Sequence, residues 1–484
     1  MLLWLVVAYL AVSIGIGVYA ATRVHDARDY IVAGRNLPFI FVLAMVFATW
    51  FGAETVLGIS ATFIQEGARG LISDPLGASL CLILFGLLFA RPLYRKNLLT
   101  LGDFFRARYN RSVEVVLSLC IVVSYLGWVS AQMMALGVVF NVLSDGVIDR
   151  ETGIVIGSLV VLAYTLLGGM WSVALTTLVQ MIIIVLGLLY VAWYAGELAG
   201  GPGVVFAKAA ADGKLEWLPT LDPIDLLSWV AALVTMALGS IPQQDVFQRV
   251  NSSRNERIAV WGTALGGASY FLFAAVPLFL AYSATLIDPD LVARYLESDS
   301  QLILPHLVVN HMPFFAQVVF FGALLSVIMS TASGTLLAPA VTFSENVLRG
   351  FLPRMNDRQM LRATRGSVIG FALLVLGYAL STSDSIHQMV ENAYRITLAG
   401  AFVPLVAGLF WRRANNLGAS LSIGLGLGVW LLSEALVPEA VVEPHLFGLV
   451  ASTVGMIVGG VIGAPGQYTP PVGHQATDQA VDVG

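Results

Sequence analysis

Ser330 and Thr331, adjacent hydroxyl side chains in the stretch GALLSVIMSTASGTLLAPA (322–340), offer chemistry that their apolar surroundings do not. Hydroxyl oxygens and carbonyls released from a helix are hard ligands, the kind that suit Na⁺ better than nitrogen or sulfur ligands do. Small polar residues in a membrane helix are more often packing contacts, so the spacing leaves both readings open. Leu37 to Phe63 is unusual in another way. Its apolar run is interrupted in the middle by Ala48, Thr49, Trp50, Phe51, Gly52, Ala53, Glu54 and Thr55. A helix crossing about 30 Å of hydrocarbon needs only ~20 residues, and backbone that unwinds at mid-membrane is tolerated only where it lines a cavity or meets an ion. A second weak stretch, Leu233 to Gln244, holds Gly239, Ser240, Pro242, Gln243 and Gln244. Interruptions at corresponding places in two halves of a chain point to a binding site at the bilayer midplane. Transport is the function this arrangement suggests.

The rest of the chain has to hold these stretches in a membrane. Of its 484 residues, 58% are hydrophobic and 11% charged, with a mean hydropathy of +0.83. A soluble globular domain carries roughly 25% charged residues, so an all-α polytopic membrane protein is expected. Hydrophobic windows give thirteen spans, near 2–20, 37–63, 71–90, 113–142, 152–168, 176–197, 224–243, 258–283, 313–345, 366–382, 386–411, 416–436 and 446–463. The first lacks the positive flank and cleavage signature of a secretory signal and reads as a retained span. One alternate set of connections carries 19 Lys and Arg and the other five. The positive-inside rule then puts the N-terminus outside and the C-terminus in the cytoplasm of a cell (plasma or inner) membrane. Residues 464–484 lack apolar periodicity and are expected to be a disordered cytoplasmic tail.

Other residues carry narrower expectations. Cys81 and Cys120 fall inside apolar runs with neither metal nor disulfide spacing. A net charge of −5 without a basic cluster argues against a nucleic-acid partner. The sequence suggests no obligatory protein partner; membrane lipid is the expected surrounding. Arg395 needs a partner at mid-membrane, with Glu54, Glu391, Asp384 or a solute carboxylate as candidates. Glu54 in turn reads as a solute contact, as a carboxylate paired with Arg395, or as one facing water. Asp245, Gln248 and Arg249 read as the start of a cytoplasmic loop after the seventh span, making a helix-end salt bridge or an inner-gate contact. The six His are scattered near ends and loops, so no nucleophile and base, or metal set, converges as an enzyme requires.

Four motifs, DYIVAGRNLPFIFVLAMVFATWFGAETVLG, YTLLGGMWSVALTTLVQ, IPQQDVFQR and MSTASGTLLAPA, occur in the order and spacing of the sodium/solute symporter family, which the chain resembles from Met1 to about Gly463. The resemblance implies a LeuT-type core of five-plus-five inverted repeats, about 37–197 and 224–411, with one helix before it and two after (416–463). It implies Na⁺ as coupling ion, held by the carbonyls of Ala48, Phe51 and Val327 and the hydroxyls of Ser330 and Thr331. Relative to the family's proline carriers, Trp50 replaces an aspartate, for which Glu54 is a substitute. Trp50 within ATW matches the family's choline carriers, where it forms part of an aromatic cage, although Gln243 stands where those carriers have a second cage tryptophan. The expected solute contacts are Trp50, Glu54, Trp128, Gln243 and Arg395. The expected function is Na⁺-coupled import of a small organic solute by alternating access. The solute is an amino acid such as proline, or a choline- or betaine-like compound. An H⁺-coupled carrier and a transporter-like sensor stay open as alternatives.

Overall fold

A computed structural model describes residues 2–352, 355–382, 386–437 and 442–469, without the side chains of 387, 391 and 392. It is helical, and its apolar helices sort into membrane crossings by length. Among the described residues, ten stretches are long and apolar enough to cross, and an eleventh is the bent pair Pro223–Gly239 and Gln244–Asn251. Two of the ten are too long for one crossing. Arg150–Leu198 has 49 residues, about 74 Å at 1.5 Å per residue, and its helical geometry fails at Gly169 (φ 51°, ψ −136°). A Cβ at Gly169 would stand 2.5 Å from the Tyr30 carbonyl oxygen, so only glycine fits this junction of spans 5 and 6. Glu54–Tyr94 is likewise interrupted, with Gly67 at φ 73° and Asp74 at φ −136°, ψ 122°.

The resulting crossings are span 1 (Leu2–Ala21), span 2 (Phe39–Trp50 continued by Glu54–Gly58 and Ile59–Glu66), span 3 (72–94), span 4 (Arg111–Leu143), spans 5 and 6 (150–168 and 170–198), span 7 (the bent pair), span 8 (Glu256–Ile287), span 9 (Phe314–Phe351), span 10 (Asp357–Ser381), span 11 (386–410), span 12 (Asn416–Leu436) and span 13 (Pro444–Ile462). Side chains such as Leu272, Leu186 and Ile462 are exposed on the outside, whereas span 9 is buried almost continuously from Phe320 to Thr342. Spans 4, 5, 6 and 10 pack along it, spans 2 and 7 cross it at their breaks, and all belong to one continuous core. Spans 12 and 13 pair at the edge through glycine contacts at Gly418, Gly455 and Gly459 and a 2.7 Å bond between Ser422 and Ser452, the close approach that small residues allow in lipid.

Two readings of the sequence change. Asp245, Gln248 and Arg249 do not begin a loop: they lie on the second helix of span 7 and are buried. Their polar groups reach other spans, which a hydropathy window cannot register. The Gln248 amide donates to the Ile31 carbonyl (3.0 Å), and the Arg249 guanidinium donates to the Met45 carbonyl and the Thr49 hydroxyl. Arg395 does not meet Glu54 either, and forms an ion pair with Glu443 at 3.5 Å. Asp384 and the Glu391 side chain, its other sequence candidates, lie outside the described residues, as does the chain beyond 469.

Candidate functional site

The site is built from the backbone that span 2 leaves unpaired. After Trp50 the helix stops, Phe51 taking φ −76° and ψ 72°. In a continued helix the Gly52 and Thr55 amides would bond Ala48 and Phe51; instead they donate to Trp50 (2.8 Å) and Gly52 (3.1 Å). The Ala48 and Phe51 carbonyls are thereby released, and the Thr331 hydroxyl of span 9 lies 3.2 Å from each. Ser330, beside it, donates to the Val327 carbonyl at 2.9 Å, and all five residues are buried. These oxygens hold no proton that must be lost before a hard monovalent cation is bound, and no nitrogen or sulfur ligand stands among them.

One turn further along span 9, Arg249 lies between the same two helices. Its guanidinium sits against Gly334 of span 9, where a Cβ would be 2.1 Å from one terminal nitrogen. Span 7 supplies it through the break at 240–243, which bends the two halves by 49°. The Gly239 carbonyl freed there accepts from Thr397 of span 11 at 2.6 Å. Gln243 spans the gap to Ser124 (3.3 Å) and Thr397 (3.5 Å), which leaves its carbonyl oxygen buried and unbonded.

Aromatic side chains cover the other face of the span 2 break. Trp50 stacks on Trp128 of span 4, with centroids 4.7 Å apart and planes at 21°. Tyr394 of span 11 stands edge-on to both, at 5.6 Å and 5.9 Å, and Tyr125 stacks on Trp128 at 5.8 Å. The Trp50 indole N–H and the Tyr394 hydroxyl are buried without a partner. Beneath the rings, Glu54 accepts from the Trp128 indole (3.2 Å) and the Gln132 amide (2.7 Å), while the Gln132 oxygen accepts from the Ala53 amide (3.0 Å). Glu54 therefore neither pairs with Arg395 nor faces water. A second buried carboxylate, Asp74 of span 3, accepts from Tyr270, whose oxygen is 3.2 Å from the Thr55 hydroxyl.

Of the residues expected from the sequence, Ala48, Phe51, Val327, Ser330 and Thr331 form one cluster and Trp50, Trp128 and Glu54 an adjoining one. Gln243 lies beside the second, and Arg395 is turned to Glu443. Tyr125, Gln132, Tyr394 and Asp74 were missed. A glutamine or aspartate within a span carries its own signal, since polar groups at that depth are costly; a tyrosine in an apolar helix carries none.

The profile of the "Sodium:solute symporter family" matches residues 30–426. Among curated proteins, the human high affinity choline transporter 1 is 26% identical over 465 residues, covering 92% of this chain and 78% of that protein. The osmoregulated proline transporter OpuE of Bacillus subtilis is 25% identical over 450 residues, covering 88% and 87%. Among solved structures, a Na⁺-coupled sialic acid symporter in a substrate-bound outward-open state superposes with a TM-score of 0.81 at 18% identity, covering 96% of this chain and 98% of that one. Mhp1, a nucleobase-cation-symport-1 family transporter, superposes with a TM-score of 0.60 at 12% identity, covering 89% and 93%. The fold is thus the LeuT type, and Na⁺ is the coupling ion of an integral, multi-pass transport protein rather than of an enzyme. With most of its length matched, the chain belongs to the sodium:solute symporter family.

Proposed function

We propose that this symporter imports a small organic cation of the choline type across the cell membrane, with its N-terminus outside and its C-terminus in the cytoplasm. The observation that carries the reading is the ring group Trp50, Trp128, Tyr125 and Tyr394 set over the Glu54 carboxylate at the break of span 2. A cation over a tryptophan face gains roughly 0.5–2 kcal/mol, more as it is desolvated, and a carboxylate without a basic partner favours a positive solute. Choline transporters among the relatives agree with this class.

In the proposed cycle, Na⁺ from outside enters between the carbonyls of Ala48, Phe51 and Val327 and the hydroxyls of Ser330 and Thr331, joining span 2 to span 9. The solute then parts Trp50 from Trp128, with Gln243 at its side, and the outer path closes. Arg249, packed between the same two spans, leaves its place by Gly334 as the inner path opens. Each charge moved through 100 mV supplies about 2.3 kcal/mol, which at 1.4 kcal/mol per tenfold contributes roughly a forty-fold factor to the solute gradient. Arg395 braces the outer ends of spans 11 and 13 through Glu443, and lipid surrounds the bundle.

The OpuE relationship favours a second reading, an amino acid such as proline. The test is competition in proteoliposomes: unlabelled choline, betaine, proline, sugars and short carboxylates against labelled choline, with and without Na⁺. Choline and close ammonium analogues are expected to compete most strongly. Stronger inhibition by proline, with no choline uptake of its own, would transfer the assignment to the amino acid.

A further inference from the structure

The second helix of span 7, Gln244–Asn251, begins at a break, and the first backbone amides of a helix have no partner within it. Its N-cap, Gln243, supplies no side-chain bond. Tyr125 of span 4 supplies one instead: its hydroxyl accepts from the Asp245 amide at 2.9 Å and donates to the Asp245 carboxylate. One oxygen thus caps the helix and fixes a charged side chain of its first turn. The ring of the same Tyr125 stacks on Trp128, the indole that lies against Trp50. Four residues after Asp245, on the same side of the helix, Arg249 reaches the Met45 carbonyl and the Thr49 hydroxyl of span 2 and rests against Gly334 of span 9. Packed and bonded groups therefore lead without a gap from the ring group to the guanidinium. The far end of this path is under-bonded. The second Asp245 oxygen and two of the three Arg249 nitrogens are buried without a hydrogen-bond partner among the described residues. Buried charges whose hydrogen bonds are incomplete are a poor way to stabilise a fold, and they suit a part that changes place.

We propose that Tyr125 is the positioning residue that couples solute at the ring group to the release of Arg249. A solute entering between Trp50 and Trp128 shifts the indole. Tyr125, stacked on it, carries Asp245 along and turns the helix that it caps, which draws Arg249 away from Met45 and Gly334. A ligand shifts a conformational equilibrium only through contacts that differ between the two states, and the Tyr125 hydroxyl provides such a contact at a residue shared by the ring group and span 7. The proposal rests on the ring group as the solute site, whether choline or proline occupies it.

The variant that isolates the hydroxyl is Tyr125→Phe, which keeps the stacked ring. It should bind choline with a Kd close to that of the wild-type chain while kcat for uptake falls by about tenfold or more, the effect of losing one hydrogen bond to a charged group. Asp245→Ala removes the other partner, and the double variant should be no slower than the slower single one, as expected of two groups in one interaction. Movement of the helix is read from a single thiol, Ala338→Cys with Cys81→Ala and Cys120→Ala, one turn beyond Gly334 in span 9 and buried. In purified protein with Na⁺, choline should speed its reaction with 2-sulfonatoethyl methanethiosulfonate by roughly fivefold or more, the scale of an allosteric coupling. Tyr125→Phe should abolish that acceleration. If Tyr125→Phe keeps both the acceleration and kcat, while Trp50→Ala loses the acceleration, the ring group stands and the coupling is overturned. If neither choline nor proline speeds labelling of the chain with Tyr125 intact, the ring-group reading and the coupling fall together.

Discussion

Thr331→Ala is expected to raise the Na⁺ concentration for half-maximal uptake by roughly ten- to a hundredfold, and Ser330→Ala by less. The Thr331 hydroxyl meets both carbonyls that span 2 releases, at 3.2 Å each. Its removal takes away the proposed ion ligand and leaves two buried acceptors without their protein donor. Hydrogen bonds to charged groups are worth about 1.5–3 kcal/mol, which at 1.4 kcal/mol per tenfold gives the range stated. Ser330 bonds only within its own helix, to Val327, so its loss costs one ligand and disturbs no contact with span 2. Thr335→Ala serves as the control, because that hydroxyl accepts nothing from span 2 and donates to the Thr331 carbonyl at 2.8 Å. Uptake measured against external Na⁺ at fixed membrane potential gives the result; unchanged curves for both Thr331→Ala and Ser330→Ala would remove the assigned ion ligands.

The second large effect is expected at the aromatic group. Trp50→Ala should raise the apparent KM for choline at least tenfold, and Trp50→Phe should recover part of the loss. The alanine removes one π face and also unstacks Trp128, whose indole N–H holds Glu54. Cation–π attraction of roughly 0.5–2 kcal/mol accounts for up to about thirtyfold by itself. Trp193→Ala, on a side chain 57% exposed on the outer surface of the bundle, should leave KM unaltered. Equal changes for Trp50→Ala and Trp193→Ala in initial-rate measurements would count against the ring group as the solute contact.

How far the sequence reveals this site depends on whether a residue violates its local surroundings. Glycine, tryptophan and a carboxylate in the middle of an apolar run mark the span 2 break, because each is at odds with an uninterrupted membrane helix. The adjacent hydroxyls of span 9 gain meaning only from the family resemblance, since small polar residues pack helices as readily as they bind ions. Tyr394 and Tyr125 could not be told from ordinary packing, and become wall residues through the approach of spans 4 and 11. Arg249 misleads in the opposite direction. Nine polar or charged positions in a row of twelve, 243–254, look like a loop, yet the carbonyls of span 2 and the space at Gly334 let the guanidinium be buried. Arg395 illustrates the same limit: its need for a partner is legible, but Glu443 is distant in sequence and adjacent only once spans 11 and 13 are assembled.

The central claim is that Na⁺ held between the unwound turn of span 2 and the hydroxyls of span 9 powers accumulation of an ammonium solute. Proteoliposomes containing the wild-type chain, loaded with K⁺ and given valinomycin, should concentrate labelled choline when diluted into Na⁺. The same vesicles at the same potential should fail to concentrate it in N-methylglucamine, and with Thr331→Ala accumulation should return only at much higher Na⁺. Equal accumulation in Na⁺ and N-methylglucamine would contradict the account.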